Sequence, residues 1–284
     1  MKTFKIFSVL FSVIVLTTAA FAQTAPSTIK RTTYKTDRFD FGVGGTLAIT
    51  GAPHGSITVE GWSNREVEIS AEIEVEGATE ADIAILSRVT GFVLQESMGR
   101  IGITSVGAND RKAMRKIDKK FPKHLIGKPF RINYVVKVPG YTDLDINGGI
   151  GDLTISGVEG VMKINYLDTN AKIDLVGGGI TAVIGKGNVD ITIPTRSWRG
   201  RFADVQVATG TLNLFLPNGL NSNFDASILR TGKIENSFDE LKPRTRHDKF
   251  TETVIAAKSG TGTIPLKFTV GDGEMFIRQT NSGS

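Results

Sequence analysis

Apolar and polar residues alternate with a period of two along much of the chain. The clearest run covers residues 66–76, in which five apolar residues alternate with Glu or Ser. Strict alternation places the apolar side chains on one face of a β-strand and the polar side chains on the other. The glutamates of this run are therefore interpreted as the solvated face of a strand rather than as catalytic carboxylates.

Short alternating segments continue to the end of the chain, and most of them lie beside a glycine. Leu153 and Ile155 lie between Gly151 and Gly157, and comparable segments recur at intervals of 18 to 21 residues. This spacing predicts a coil with two short strands in each turn, in which each turn pairs with the next. Glycine suits the corners, because a tight bend between strands often requires a positive φ. An antiparallel β-sandwich remains the alternative.

One segment has the period of a helix instead. Ile83, Leu86 and Val89 follow one another at a spacing of three residues, after a threonine at position 79 and two early acidic residues. Threonine is a good N-cap, and acidic side chains are favourable in the first turn of a helix. The pattern predicts one short helix over residues 79–90 that covers the sheet.

The first 22 residues have the pattern of a secretory signal peptide. Two lysines precede an apolar run over residues 6–16, and Ala20-Phe21-Ala22 forms a small-x-small cleavage site. We expect cleavage after Ala22 and export to the periplasm, the cell surface or the medium. No later stretch of the sequence is long and apolar enough to span a membrane. The polar residues 23–37 are predicted to be a flexible leader.

Composition and motifs exclude several kinds of chemistry. The 284 residues include no cysteine, so disulfides, Cys-ligated zinc, iron–sulfur clusters and a catalytic thiol are excluded. The three histidines, at positions 54, 124 and 247, have no partner at metal-ligand spacing. Residues 185–191 resemble part of a calcium-binding β-roll repeat, but they are not in tandem. The sequence predicts no cofactor, no metal site and no catalytic residues.

A carbohydrate-active enzyme acting on an acidic polysaccharide is the alternative function. Some β-helix proteins are polysaccharide lyases or hydrolases, and their sites need clustered acids. The candidate acids are Asp143, Asp145, Asp152 and Asp168. Turns and strand edges also suit the first three, and no partner constellation accompanies them. We therefore expect a protein that is not an enzyme.

The positive charge of the chain is concentrated in one segment. Residues 111–128 contain eight Lys or Arg and one Asp, a net charge of +7, whereas the whole chain has a formal charge of +5. Removal of Lys2 and Lys5 with the signal peptide lowers this to +3, so the rest of the mature chain has a charge of −4. The candidate binding residues are Arg111, Lys112, Arg115, Lys116, Lys119, Lys120 and Lys123.

These cations predict electrostatic binding to an anionic component of the cell envelope, such as lipid headgroups or an acidic polysaccharide. A nucleic acid is a poorer fit to an exported protein. A solvated loop is the alternative interpretation. A helix over 111–121 would place Met114, Ile117 and Phe121 on one face, which suits docking on a membrane or on the body of the protein.

The strand motifs also resemble a known family. The resemblance includes the order of Gly61-Trp62 after the second strand and Val138-Pro139-Gly140 before the coil. The segments that carry it are residues 44–75, 78–89, 131–160 and 271–281. Together they are similar to the DUF4097 family of exported bacterial β-strand-repeat proteins, which carries the name "putative adhesin".

The resemblance implies an all-β fold, a right-handed parallel β-helix or β-roll of short strands. It implies export and a role at the cell envelope, and it carries over no catalytic residues. We therefore predict a single β-helical domain over 38–281, with 111–128 as a basic insertion. The predicted function is that of a non-enzymatic, exported, adhesin-like binding or scaffolding module; its oligomeric state stays open.

Overall fold

Strands dominate the computed structural model, which describes residues 28–42, 44–97, 99–117, 120–194 and 198–280. The predicted signal peptide at 1–22 lies outside these residues. The first nine strands are β1 (Ile29–Asp40), β2 (Thr46–Thr50), β3 (Ile57–Trp62), β4 (Glu66–Gly77), β5 (Gly91–Ser97), β6 (Arg100–Val106), β7 (Phe130–Pro139), β8 (Asp143–Ile150) and β9 (Leu153–Ser156). The remaining strands are β10 (Glu159–Asp168), β11 (Ala171–Asp174), β12 (Gly177–Thr192), β13 (Arg199–Leu216), β14 (Ser222–Asn236), β15 (Lys242–Pro243), β16 (Val254–Ser259) and β17 (Ile264–Gln279). The helices are α1 (Glu80–Val89) and α2 (Arg111–Ile117).

The strands form one mixed sheet, which confirms the prediction of an all-β chain. Over the described residues, β1–β4, β4–β7, β5–β6, β14–β16 and β15–β16 pair antiparallel, and the other strand pairs are parallel. The fold thus departs from a purely parallel β-helix and also from an antiparallel sandwich. The reason is clearest at β5 and β6, because a connection of only two residues can reverse the chain but cannot make a parallel crossover.

Two parallel ladders run through the middle of the chain. In the first, Ile146 of β8, Ile164 of β10 and Ala182 of β12 are direct neighbours at steps of 18 residues. In the second, β9, β11 and the end of β12 pair with the same step. The inward side chains of both ladders are almost completely buried in one hydrophobic cluster.

Strand β1 corrects the prediction of a flexible leader over 23–37. It pairs antiparallel with β4 along its whole length, from Ile29 to Asp40. Its cations face the glutamates of β4: the Lys30 Nζ lies 2.7 Å from a carboxylate oxygen of Glu76, and Arg38 pairs with Glu68. The prediction is wrong for residues 29–37 because the carboxylates that pair with this segment lie about 30 to 46 residues further along the chain. Residues 23–27 lie outside the described residues.

Helix α1 confirms the predicted helix over 79–90. Thr79 is its N-cap, and the hydroxyl oxygen of Thr79 accepts a hydrogen bond of 3.1 Å from the backbone N–H of Asp82. Ile83, Leu86 and Val89 are buried in the core, as their spacing predicts. Helix α1 therefore covers the sheet beside β4 and supports the second helix, α2, which it contacts.

Candidate functional site

The basic segment 111–128 begins with helix α2, directly after Asp110. One carboxylate oxygen of Asp110 accepts hydrogen bonds from the backbone N–H groups of Lys112 (2.7 Å) and Ala113 (2.9 Å). Aspartate in this position satisfies N–H groups that have no partner inside the helix. Met114 then points into the core, where only 7% of it is exposed. The first part of the segment is thus anchored by a cap and by a buried side chain.

A second anchor follows the helix. Lys123–Leu125 form a 3-10 turn, and Leu125 is only 1% exposed. Gly127, with φ of +77°, allows the chain to turn back, and its N–H donates to the carbonyl of Ala108 at 3.1 Å. The described part of the segment therefore packs on the body of the protein at two points.

His124 connects this turn to helix α1. Its Nε2 lies 2.8 Å from a carboxylate oxygen of Asp82. The hydrogen bond from His124 lowers the pKa of Asp82, and the hydrogen bonds from Thr79 lower it further. Because Asp82 lies in the first turn of α1, the contact ties the basic segment to an element that is itself packed on the core.

Six of the seven predicted binding residues are exposed in the structure, and Lys119 lies outside the described residues. Helix α2 separates them into two rows, because residues four positions apart share a helix face. Arg111 and Arg115 line one side of the helix, and Lys112 and Lys116 line the other. The predicted extension of this helix to residue 121 is not seen, since the helix ends at Ile117, whose side chain is also outside the described part.

A groove lies on each side of α2. The Phe121 groove is lined by Arg111, Met114, Arg115, Lys120, Phe121, Pro122, Lys123 and Ile126. The Phe92 groove is lined by Lys35, Arg88, Val89, Thr90, Gly91, Phe92, Val93, Gln95, Val106, Asp110, Lys112, Ala113 and Lys116. Both grooves combine apolar walls with a cationic rim.

Two cations of the Phe92 groove come from outside the basic segment. Lys35 of β1 lies 3.9 Å above the ring centroid of Phe92 and donates a hydrogen bond of 3.0 Å to the carbonyl of Phe92. Arg88 belongs to the last turn of α1. Sequence analysis missed both residues, because no local pattern connects β1 or α1 with residues 111–128. Only the packing of the elements brings these charges together.

The cations of the segment differ from those elsewhere in their partners. On the β1–β4 surface, Lys30 and Arg38 are neutralised by glutamates. In contrast, within the described part of the chain, no carboxylate forms an ion pair with Arg111, Lys112, Arg115, Lys116 or Lys123. Clustered cations without nearby counter-charges create a positive potential that attracts anions. The surface is therefore suited to an anionic ligand.

The four acids considered for an enzyme have mainly structural surroundings. A carboxylate oxygen of Asp143 accepts the backbone N–H of Val161 at 2.7 Å. Asp145 forms an ion pair of 2.7 Å with Arg100, and Asp152 accepts the side-chain amide of Asn170 at 3.2 Å. Asp168 lies in β10, opposite Ile150 and Lys186 on the neighbouring strands. Hydrogen bonds between adjacent strands account for the first three, so these positions do not indicate a catalytic pair.

Two further searches cover the described residues only. They contain no group of three or more His, Asp or Glu side chains that could hold a metal ion. They also contain no helix with the length and apolar character needed to cross a bilayer. Apart from His124, the histidines lie apart from the grooves: His54 forms backbone bridges with Arg131 and Ile150, and His247 lies in a turn after Arg246.

Comparison with known proteins gives distant structural likenesses. No protein-family model and no curated protein matches the chain. A "putative cell adhesion protein" from Clostridium sporogenes is 12% identical, with a TM-score of 0.45, over 87% of this chain and 100% of its own. A "putative adhesin" from Bacteroides fragilis is 10% identical, with a TM-score of 0.34, over 86% and 97%. A "Putative lipid binding protein" from Parabacteroides distasonis is 12% identical, with a TM-score of 0.21, over 88% and 95%.

These three TM-scores lie below 0.5, so the likenesses assign neither a fold nor a function to this chain. Two of the three structures carry adhesin or cell-adhesion names, in line with the adhesin-like character expected from the sequence. Membership of the DUF4097 family stays a prediction.

Proposed function

We propose that the protein is a non-enzymatic, exported, adhesin-like module of the cell envelope that binds an anionic partner through the cationic surface around α2. The observation that carries this proposal is the set of exposed cations held beside two grooves without carboxylate partners. Both anchors of the segment, at Met114 and Leu125, are buried. The charges are therefore presented on a defined surface rather than on a solvated loop.

The charge balance of the chain supports the proposal. The mature chain outside residues 111–128 has a net charge of −4, whereas this segment contributes +7. Such a distribution directs the positive field to one side of an otherwise slightly acidic molecule. An anionic polymer or surface would then approach in one orientation, and the attraction would weaken as salt screens it.

The parallel ladders support a further part of the proposal, a β-helical coil. Over residues 143–192, two strands in each turn pair with the next turn at a constant step of 18 residues. We propose that this coil is the stable platform of a single domain, which β1 extends to Ile29. Export through the signal peptide at 1–22, as the sequence predicts, would place this domain in the envelope.

The test uses the chain from residue 23 onward and two probes, soluble polygalacturonate and vesicles with 30% phosphatidylglycerol. In the first variant, Arg111, Lys112, Arg115 and Lys116 are each changed to Gln. In the control, Lys163, Lys172, Lys186 and Lys258 are changed to Gln; these lysines are exposed and form no ion pair among the described residues. Both variants remove the same charge from the protein.

We expect the first variant to lose at least tenfold in affinity for the anionic probe that the wild type binds, with a smaller salt dependence. The control variant should keep most of the affinity, because its lysines lie away from the two grooves. Equal losses in the two variants would show that only net charge matters. Failure of the wild type to bind either probe at low salt would overturn the proposed function.

A further inference from the structure

The Phe121 groove has an exposed apolar residue at its edge. Ile126 is 52% exposed, although its neighbour Leu125 is almost completely buried. Phe121 is partly buried against the core, and Met114 forms part of the groove floor. The groove thus presents a continuous apolar strip from its floor to its edge.

Cations surround this strip. Arg111 and Arg115 come from α2, and Lys120 and Lys123 come from the chain that follows it. In the part of the chain that the structure describes, the lining of this groove includes no carboxylate. An isoleucine between cations is poorly suited to water, but it suits the boundary between lipid headgroups and acyl chains.

We propose that the Phe121 groove docks on the surface of an anionic phospholipid bilayer. In this arrangement Ile126 enters the boundary between headgroups and acyl chains, and the surrounding Arg and Lys side chains contact lipid phosphates. The proposal rests on the proposed function and names the partner of the same cationic surface.

The local backbone presents Ile126 in a fixed position. The N–H of Ile126 donates to the carbonyl of Lys123 at 3.3 Å, and the following glycine turns the chain back toward Ala108. Leu125 holds the preceding residue in the core. Ile126 therefore points outward from a packed turn, and little conformational freedom would be lost when it enters a membrane.

The lining favours a lipid over an acidic polysaccharide. Besides the cations, the groove offers the side chains of Met114, Phe121, Pro122 and Ile126. None of these can donate or accept a strong hydrogen bond, whereas a sugar polymer exposes many hydroxyl groups that need such partners. The apolar strip gains free energy in contact with acyl chains, because apolar surface is removed from water.

Vesicle co-sedimentation tests this inference with the variant Ile126→Ser and the control Ile150→Ser. Ile150 is 44% exposed and lies at the end of β8, outside the cationic grooves. On vesicles with 30% phosphatidylglycerol, Ile126→Ser should bind about five- to tenfold more weakly than wild type, a loss consistent with one large apolar side chain. Ile150→Ser should bind as the wild type does, and binding to polygalacturonate should be unchanged in both.

A direct depth measurement uses the absence of cysteine from the chain. Ile126→Cys and Ile150→Cys each introduce one thiol, which can carry a nitroxide label. Anionic vesicles should shield the label at position 126 from a water-soluble relaxation agent and leave the label at position 150 accessible. Vesicles of phosphatidylcholine alone should shield neither label.

The outcomes separate this inference from the proposed function. If the wild type binds polygalacturonate but no anionic vesicles, the lipid inference is wrong and the proposed function stands. If Ile126→Ser binds anionic vesicles like the wild type, or position 126 stays accessible, the groove does not dock on lipid. If neither probe is bound at low salt, both proposals are wrong.

Discussion

Gly210 lies directly against the backbone of Gly187 at the corner between the two ladders. A Cβ atom on Gly210 would lie 1.9 Å from the carbonyl oxygen of Gly187, and φ of Gly210 is +138°. The same relationship connects Gly273 with Gly210, where the distance would be 1.8 Å. The corner strands can pair closely only because these residues have no side chain.

We predict that Gly210→Ala destabilises the protein by about 3 kcal/mol or more, because the change combines backbone strain with an overlap that backbone atoms cannot relieve. Urea unfolding followed by circular dichroism measures the free energy of unfolding. The control is Gly42→Ala, since a Cβ at Gly42 would meet no heavy atom within 4 Å. Similar stabilities of the two variants would show that the corner relaxes more easily than its geometry indicates.

Leu125 and Ile126 should respond very differently to truncation, although they are adjacent in sequence. Leu125→Ala removes a buried anchor and should cost about 2–4 kcal/mol in the free energy of unfolding. Ile126→Ala should change it by less than about 0.5 kcal/mol, because the side chain is largely exposed. Urea unfolding of both variants checks this difference. A small effect of Leu125→Ala would mean that the basic segment is not coupled to the core.

The contact between His124 and Asp82 should make the attachment of the basic segment dependent on pH. The pKa of Asp82 is lowered, chiefly by the hydrogen bond from His124. Such a group stabilises the fold above its unfolded pKa, and this contribution disappears as the pH falls through the folded pKa. We expect His124→Ala to raise the pKa of Asp82, and to lower stability more at pH 6 than at pH 2.5.

Carbon-detected NMR titration of the Asp82 carboxyl group measures this pKa, and urea unfolding at the two pH values measures the stability. The control is His247→Ala, because the His247 imidazole forms no hydrogen bond among the described residues. An unchanged pKa of Asp82 in His124→Ala would contradict the assigned contact.

Asp272 should contribute to stability against acid. Hydrogen bonds from Arg230 and Thr231 lower the pKa of Asp272 to about 2. Its stabilising contribution is thus present above the ordinary aspartate pKa of about 4 and is lost as the pH falls toward 2. Asp272→Asn should therefore be less stable than wild type at pH 5, and the difference should shrink between pH 4 and pH 2.

Unfolding curves at several pH values test this prediction. Asp174→Asn is a suitable control, because Asp174 is exposed and its carboxylate has no partner in the described part of the chain. The control should show no comparable loss at pH 5. A stability difference for Asp272→Asn that stays constant from pH 5 to pH 2 would refute the assignment.

The strands and helix α1 could be predicted because their signals are local. Alternation with period two follows directly from the geometry of a strand, and the spacing of Ile83, Leu86 and Val89 follows from that of a helix. Pairing directions could not be predicted in the same way. The antiparallel pairing of β4 with β1 and β7 depends on segments far away in the sequence.

The candidate site was predicted in part. The density of charge in residues 111–128 identified six cations that the structure shows as exposed. Lys35 and Arg88 were missed, since their place beside α2 depends on the packing of β1 and α1. The division of the cations between two grooves also required the structure, because it depends on where Met114 and Leu125 are buried.

The sequence by itself determined the all-β composition of the chain, the helix α1 and the concentration of positive charge, since each is expressed within a few neighbouring residues. Only the tertiary structure decided that the supposed leader contains a strand, that the sheet is mixed, and that Ile126 is exposed beside a buried Leu125. These features depend on contacts between distant segments, whose free energies are set by burial and charge pairing rather than by local periodicity.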